Sequence, residues 1–484
     1  MGARDTKLAR RVRRLGLWLG PLLAALTWLA TGGGELEYAG RMTAAIAVWM
    51  ATWWMTEAIP IPATGLIPIA AFPLAGIRSA REAAAPYGHE LIYLFLGGFV
   101  LALAMERWNL HRRIALTVVR IVGTQADRMV AAFIGTTAVL SMWVSNTATA
   151  VLMLPIAASV IRETDRAGDG SSARAVFAPA LLLAIAYSAS IGGVATLIGT
   201  PPNLFLASFA RDHLAVDFGF ARWLLMALPL VLVLLVILWL MLTRVLYRCR
   251  GAELVAGDLG GTPGAWSRGE RLTLGVFLAT AGAWIFRPVL TGLEIGGVAW
   301  FGGLTDSGIA ILAALVLFVL PAGEGRRVMD WHGMRRLPWG LLILFGGGLS
   351  LAAAMQDNGV SAKIGELLAR SEGLSPLLAI LLTTTLMVFL TELTSNTATT
   401  AAMLPILTAA AGGLGLSPVL IATAAAVSAS CAFMLPVATP PNAFVFAGGD
   451  LRIGQMVRAW IGMNLICILA VSAWVLLVVD RVVG

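Results

Sequence analysis

Two stretches of the chain read almost alike: Ser145-Asn-Thr-Ala-Thr-Ala-Val-Leu-Met-Leu-Pro-Ile156 and Ser395-Asn-Thr-Ala-Thr-Thr-Ala-Ala-Met-Leu-Pro-Ile406, with nine identities in twelve positions. Each opens with a polar Ser-Asn-Thr triplet lying midway along an apolar segment, 128–161 in one case and 375–411 in the other. An ordinary membrane helix needs about 20 residues to cross roughly 30 Å of hydrocarbon. Both segments exceed that, so each is expected to fold as a helical hairpin that enters and leaves on one side, with its triplet at the tip. Upstream, Leu96-Gly97-Gly98 matches Phe345-Gly346-Gly347; downstream, Thr200-Pro201-Pro202-Asn203 matches Thr439-Pro440-Pro441-Asn442. Three matches in the same order define one duplicated unit.

Composition sets the class. The 484 residues are 59% apolar and 12% charged, whereas soluble proteins carry about 25% charged residues. With a mean hydropathy of +0.86, a soluble globular protein is excluded; the apolar runs lack the period-two alternation of a β-barrel strand. The expectation is an all-α polytopic membrane protein of about eleven spans plus the two re-entrant hairpins. The spans fall near 15–32, 42–58, 61–77, 91–106, 175–211, 222–247, 272–291, 306–321, 338–355, 417–447 and 453–479. Each unit then holds an odd number of full spans, so the second must be inverted relative to the first, as in secondary transporters.

This reading divides the chain into an N-terminal segment and first helix (1–35), a first repeat (36–248), a linker (249–271) and a second repeat (272–484). Within the repeats, 175–211 and 417–447 are helices broken at the Thr-Pro-Pro-Asn motifs. Lys and Arg gather on the side of the N-terminus, at Arg112/Arg113, Arg162/Arg166/Arg174, Arg244/Arg248/Arg250, Arg326/Arg327 and Arg335/Arg336. We read the net charge of +8 as this topological bias, with a cytoplasmic N-terminus in a cell (inner) membrane, and expect no nucleic-acid partner. The first helix, preceded by Arg10, Arg11, Arg13 and Arg14, is expected to be retained and not cleaved as a signal.

Backbone that leaves the helix inside hydrocarbon exposes N–H and C=O groups that cost several kcal/mol each unless something satisfies them. The tips and the two Pro-Pro breaks are therefore the places to look for a site. Helices beginning after Thr147, Thr397, Asn203 and Asn442 would aim their N-terminal amides at an anion. The carbonyls of Gly199 and Ala438, with the hydroxyls of Ser141, Ser145, Thr391 and Ser395, offer neutral oxygens suited to Na⁺. Ser141 and Thr391 stand one helical turn before the triplet serines, on the same face. The duplicated pattern suggests two cation sites.

No Lys or Arg occurs in 129–161, 175–210 or 371–451, so a bound anion must be held by dipoles, hydroxyls, amides and co-bound cations. That makes anion affinity depend on cation occupancy. Ser, Thr and Asn also glue membrane helices together, but the doubling of both motifs argues for a site. Glu392, close to the second tip, is replaced by Met142 in the first repeat; a structural hydrogen-bonding role and a coupling role both stay open for it. Glu57 reads as a helix boundary at an interfacial belt. Cys249, Cys431 and Cys467 lack metal-ligand spacing and imply no disulfide framework, and His89, His111, His213 and His332 form no catalytic pattern.

The paired Ser-Asn-Thr tips, the paired Thr-Pro-Pro-Asn breaks and Trp53-Trp54-Met-Thr-Glu57-Ala-Ile-Pro60 before Thr64 resemble the divalent anion/sodium symporters, which carry di- and tricarboxylates or sulfate. The resemblance covers nearly the whole chain. It implies eleven spans with two re-entrant hairpins, a homodimer, and an elevator motion of a transport domain against a scaffold drawn from 42–106 and 272–355. It also implies one Na⁺ at Ser141, Ser145, Asn146 and Gly199, and a second at Thr391, Asn396 and Ala438. Substrate carboxylates would meet Ser145, Asn146, Thr147, Ser395, Asn396, Thr397, Thr439 and Pro440.

The expectation is a sodium-coupled importer of a C4-dicarboxylate such as succinate, malate or fumarate, with Na⁺ as coupling ion and no organic cofactor. Competing readings are a Na⁺-independent dicarboxylate exchanger and a sodium/sulfate symporter. A membrane enzyme or structural subunit is the alternative of another class, and no nucleophile with a base, metal cluster or paired acids stands out to support an enzyme.

Overall fold

The computed structural model describes residues 3–34, 36–166, 170–249, 264–294, 297–323, 325–369, 375–435, 439–447, 451 and 453–483. Apart from one two-stranded antiparallel turn pairing Pro321 with Arg327, the regular structure is helical. The chain opens with α1 (Ala3–Ala30) and α2 (Tyr38–Thr56) packed along each other. Glu57 ends α2 in a left-handed conformation, φ 47°, and forms an exposed ion pair with Arg13.

The segment 61–77, expected as one span, is instead two short helices, α3 (Ile61–Thr64) and α4 (Ile67–Leu74). Pro62, Pro68 and Pro73 withhold amide donors here, and the chain turns at Gly65. A side chain at Gly65 would crowd the backbone of Leu344 at 3.1 Å.

After α5 (Ala80–Ala84) comes the first copy of a repeated element order. It runs α6 (Glu90–Arg107), α7 (Leu110–Val122), α8 (Ala126–Ser141), a break, α9 (Asn146–Arg166), α10 (Gly170–Gly193), a second break, α11 (Pro201–Leu214) and α12 (Phe220–Leu240). Two connecting helices, α13 (Arg268–Thr291) and α14 (Asp306–Val319), follow. The order then recurs as α15 (Trp339–Asp357), α16 (Val360–Ala369), α17 (Pro376–Thr391), a break, α18 (Asn396–Gly413), α19 (Pro418–Ala429), a break, α20 (Pro440–Ala447) and α21 (Ile453–Trp474).

The duplicated motifs thus mark duplicated structure: both Ser-Asn-Thr triplets begin at a helix-to-helix break, and both Thr-Pro-Pro-Asn motifs restart a helix. The short helices α7 and α16 carry too many charges to register in a hydropathy reading, which passes over both. Most of the linker, 250–263, lies outside the described residues.

Seven helices among the described residues are long and apolar enough to cross a bilayer, and five shorter ones are apolar as well. The protein is an all-α, multi-pass integral membrane protein. Its buried centre is formed by α10 and α19, whose helical surfaces are covered on nearly all sides. Helix α10 packs on α8 and α9, and α19 on α17 and α18.

The short helices after the breaks cross between copies: α11 lies on α18 and α19, and α20 on α9 and α10. The Gly-Gly motifs permit close backbone approaches. A Cβ at Gly97 would collide with the backbone of Ala310 in α14, and one at Gly347 with the backbone of Gly65. Next to Gly347, Gly348 makes room for Phe205 of α11 and Ala401 of α18. The duplicated halves are thereby interleaved, and the breaks of both are brought to one buried region.

Candidate functional site

At the first tip, α8 stops at Ser141 and the chain turns through 142–145 before α9 starts at Asn146. Ser145 Oγ accepts from Ala148 N at 3.3 Å, and Ser145 O accepts from Thr149 N at 3.0 Å. The serine therefore acts as the cap of α9, satisfying a donor that the first helical turn leaves open. Helix α9 begins before Thr147, not after it as expected, and α18 likewise begins at Asn396.

The buried Ser141 hydroxyl lies 2.7 Å from Asn146 Oδ1 and 2.6 Å from Ala189 O. A hydroxyl has one proton, so it serves one of these acceptors and leaves the other facing it unprotonated. Across the gap, the bare Cα of Gly193 is flanked by Asn146 Oδ1 and, 3.2 Å from where a Cβ would stand, Gly199 O. Ser141, Asn146 and Gly199, read from sequence as cation ligands, are brought together. Ala189 O joins them from a position that carries no side-chain signal. The Ser141 hydroxyl links Asn146 Oδ1 to Ala189 O, and Asn146 Oδ1 and Gly199 O both border Gly193, so four oxygens from three segments make an environment suited to a small hard cation. Ser145, Asn146 and Thr147 are half-buried, so the tip itself keeps a surface open to a ligand.

The break after α10 is held through its carbonyls. Asn203 Nδ2 donates to Gly193 O at 3.2 Å, Val194 O at 3.0 Å and Thr196 O at 2.8 Å. Trp223 Nε1 adds a bond to Val194 O at 3.0 Å, and Thr196 Oγ1 donates to Met142 O in the tip. Thr200, extended at φ −140°, precedes Pro201 and Pro202 at the first two positions of α11. Proline is tolerated there because those positions lack intrahelical amide partners. The helix therefore begins at Pro201, and α20 at Pro440, three residues' breadth before the starts expected after Asn203 and Asn442. Asn203 is inside the first turn, reaching back.

The second copy differs. Thr391 Oγ1 donates back into its own helix, to Met387 O at 2.8 Å or Val388 O at 3.2 Å, and makes no bond to Asn396. Asn396 Oδ1 is buried without a partner among the described residues. Ser395 and Asn396 are half-buried, Thr397 and Thr439 are buried, and Pro440 is exposed. Thr439 Oγ1 accepts from Asn442 N at 3.4 Å, and Asn442 Nδ2 donates to Leu435 O at 3.2 Å. Ala438, expected at the second cation site, lies outside the described residues. The two breaks meet where Thr200 Oγ1 and Ser430 Oγ lie 3.4 Å apart.

Comparison with known proteins decides the family. The model of a family described as citrate transporter matches residues 51–427. The chain belongs to that family. It is 39% identical to the sodium-dependent dicarboxylate transporter of Staphylococcus saprophyticus, over 97% of this chain and 92% of that one. It is 40% identical to the protein of the same name from Staphylococcus aureus strain USA300, with the same coverage. Two solved structures share the fold at low sequence identity. The YdaH transporter of Alcanivorax borkumensis has a TM-score of 0.59 and 13% identity, covering 92% of this chain and 99% of its own. MtrF of Neisseria gonorrhoeae has a TM-score of 0.61 and 15% identity, covering 93% and 97%. The family is one of transporters and not of enzymes.

Two polar residues of this family member were only half legible in sequence. Glu392 is buried, and its carboxylate accepts from Phe433 N at 2.8 Å, from Met434 N at 2.9 and 3.0 Å, and from Leu435 N at 3.2 Å. Asn464 Nδ2 of α21 donates to the same carboxylate at 2.9 Å. Three amides just after α19, which carry no signal in the sequence, are thus directed at the protein's own anion. In the sequence Asn464 carries no signal beyond a lone amide within an apolar span.

Proposed function

We propose that the chain imports small divalent anions, C4-dicarboxylates such as succinate, malate or fumarate foremost, together with Na⁺. The reading is carried by the oxygen cluster of Ser141, Asn146, Ala189 and Gly199, found in a chain about 40% identical to proteins named sodium-dependent dicarboxylate transporters. A dianion in a low-dielectric setting needs positive charge nearby, and 129–161, 175–210 and 371–451 contain no Lys or Arg. Co-bound Na⁺ supplies it, which couples the two solutes by linkage.

In this reading the first Na⁺ is held at Ser141, Ser145, Asn146 and Gly199, the second near Thr391, Asn396 and Ala438. The two carboxylates meet Ser145, Asn146 and Thr147 on one side and Ser395, Asn396, Thr397, Thr439 and Pro440 on the other. The repeats are inverted and α8–α9 and α17–α18 are re-entrant hairpins. They move with the broken helices as a transport domain, elevator-fashion, against a scaffold from 42–106 and 272–355, in a homodimer with cytoplasmic N-termini. Uptake of labelled succinate into proteoliposomes tests the function: an inward Na⁺ gradient should drive accumulation, sulfate in excess should compete poorly, and equal uptake with choline in place of Na⁺ would refute coupling.

A further inference from the structure

Glu392 occupies a place where a carboxylate is normally disfavoured. It stands at the C-terminal end of α17, against the negative end of the helix dipole, in a buried position. What holds it there is the run of three consecutive amides, Phe433, Met434 and Leu435, and the side chain of Asn464. Successive backbone N–H groups converging on one anion form a nest.

The nest has a second face. In a trans peptide the carbonyl of one residue points opposite to the N–H of the next. Drawing the amides of 433–435 onto Glu392 therefore turns the carbonyl oxygens of Ala432, Phe433 and Met434 away from it. Among the described residues, no hydrogen bond ends on those three carbonyls. Asn396 Oδ1, at the second tip four residues after Glu392, is also buried without a partner. In the first repeat the arrangement is reversed: Met142 replaces Glu392, and Asn203 consumes the carbonyls of Gly193, Val194 and Thr196.

We propose that Glu392 is a positioning residue for cation binding in the second repeat: by gathering the amides of Phe433, Met434 and Leu435 it presents the opposite carbonyls to a cation and places a fixed negative charge behind them. Asn464 holds the carboxylate in register from α21. The inference rests on the sodium-coupled reading above. It implies that the two cation sites are electrostatically unlike, the first neutral and the second backed by a carboxylate, and that the second fills at lower Na⁺ concentration.

The test is the Na⁺ dependence of labelled-succinate uptake in proteoliposomes containing the wild type, Glu392→Gln or Asn464→Leu, each verified as monodisperse before reconstitution. Glu392→Gln should raise the Na⁺ concentration for half-maximal uptake by about tenfold, with uptake recovering at high Na⁺, since it removes hydrogen bonds to a charged group and the charge itself. Asn464→Leu keeps the charge and should shift the curve by roughly two- to threefold. A lower maximal rate at unchanged Na⁺ half-saturation would mark Glu392 as merely structural and overturn the proposal. If Glu392→Gln does not fold, an unshifted Asn464→Leu curve overturns it instead. Wild-type uptake indifferent to Na⁺ would refute the proposed function itself, and this inference with it.

Discussion

The two tips share nine of twelve residues and yet are built into the molecule differently. At the first, Trp143 is packed in a stack with Phe220, centroids 5.8 Å apart, and Trp284, 6.2 Å away, while Phe277 meets it edge-on at 4.9 Å. At the second, the equivalent position is Leu393, which is 75% exposed. The first break is fastened by an asparagine amide binding carbonyls, the second by a carboxylate binding amides. Identical motifs therefore supply the same local geometry, a helix start at a break, capped by a serine hydroxyl only in the first copy, while their neighbours decide how firmly it is held and with what charge.

The sharpest way to break this comparison is to remove the residues the two copies share. Asn146→Ala and Asn396→Ala should each lower transport by about a hundredfold or more, the equivalent of roughly 2.7 kcal/mol, with expression and oligomeric state unchanged. Normal uptake by both in proteoliposomes would mean that the triplets are helix glue. Next in size, Gly193→Ala should force Asn146 Oδ1 aside and cut Na⁺-dependent uptake by about tenfold. In contrast, Gly135→Ala in α8, where a Cβ meets nothing within 4 Å, should transport like the wild type. An active Gly193→Ala protein would show that the oxygen cluster is not used.

Two further pairs sharpen the asymmetry through stability, read by thermal unfolding in detergent. Asn203→Ala strands the carbonyls of Gly193 and Thr196, Val194 O keeping its bond from Trp223, and should cost about 2–4 kcal/mol, whereas Asn442→Ala strands one and should cost about 1 kcal/mol. Equal losses would argue that the two breaks are anchored alike. Smallest of all, Trp143→Ala should cost about 1–3 kcal/mol through lost aromatic packing, and Leu393→Ala should fall within about 0.5 kcal/mol of the wild type. A destabilised Leu393→Ala protein would show that the second tip is covered by something that packs on Leu393.

Misreadings of the sequence have local causes. The span expected at 61–77 is apolar nearly throughout, and hydropathy is blind to the turn at Gly65 and to Pro68, which opens α4 just after it. The amphipathic α7 and α16 were passed over for the opposite reason, since His111, Arg112 and Arg113 in one and Lys363 and Glu366 in the other lower a windowed average while the apolar face still packs. The helix restarts come at Pro201 and Pro440, three residues before the expected places, because a proline pair that stops one helix is accepted in the first turn of the next.

By itself the sequence determined the class, the duplication, the four motifs beside which the helices break and the polar residues at the tips. These follow from hydropathy over about 20 residues and from motifs a dozen residues long, and both are local properties of the chain. Only the tertiary structure decided that Ala189 O joins Ser141 and Asn146, that Asn203 fastens the first break through its carbonyls, and that Glu392 and Asn464 fasten the second through its amides. Those contacts run largely between backbone atoms and side chains as far as 48 residues away. A backbone carbonyl or amide is the same in every residue, so no residue type announces it; packing alone brings it to its partner.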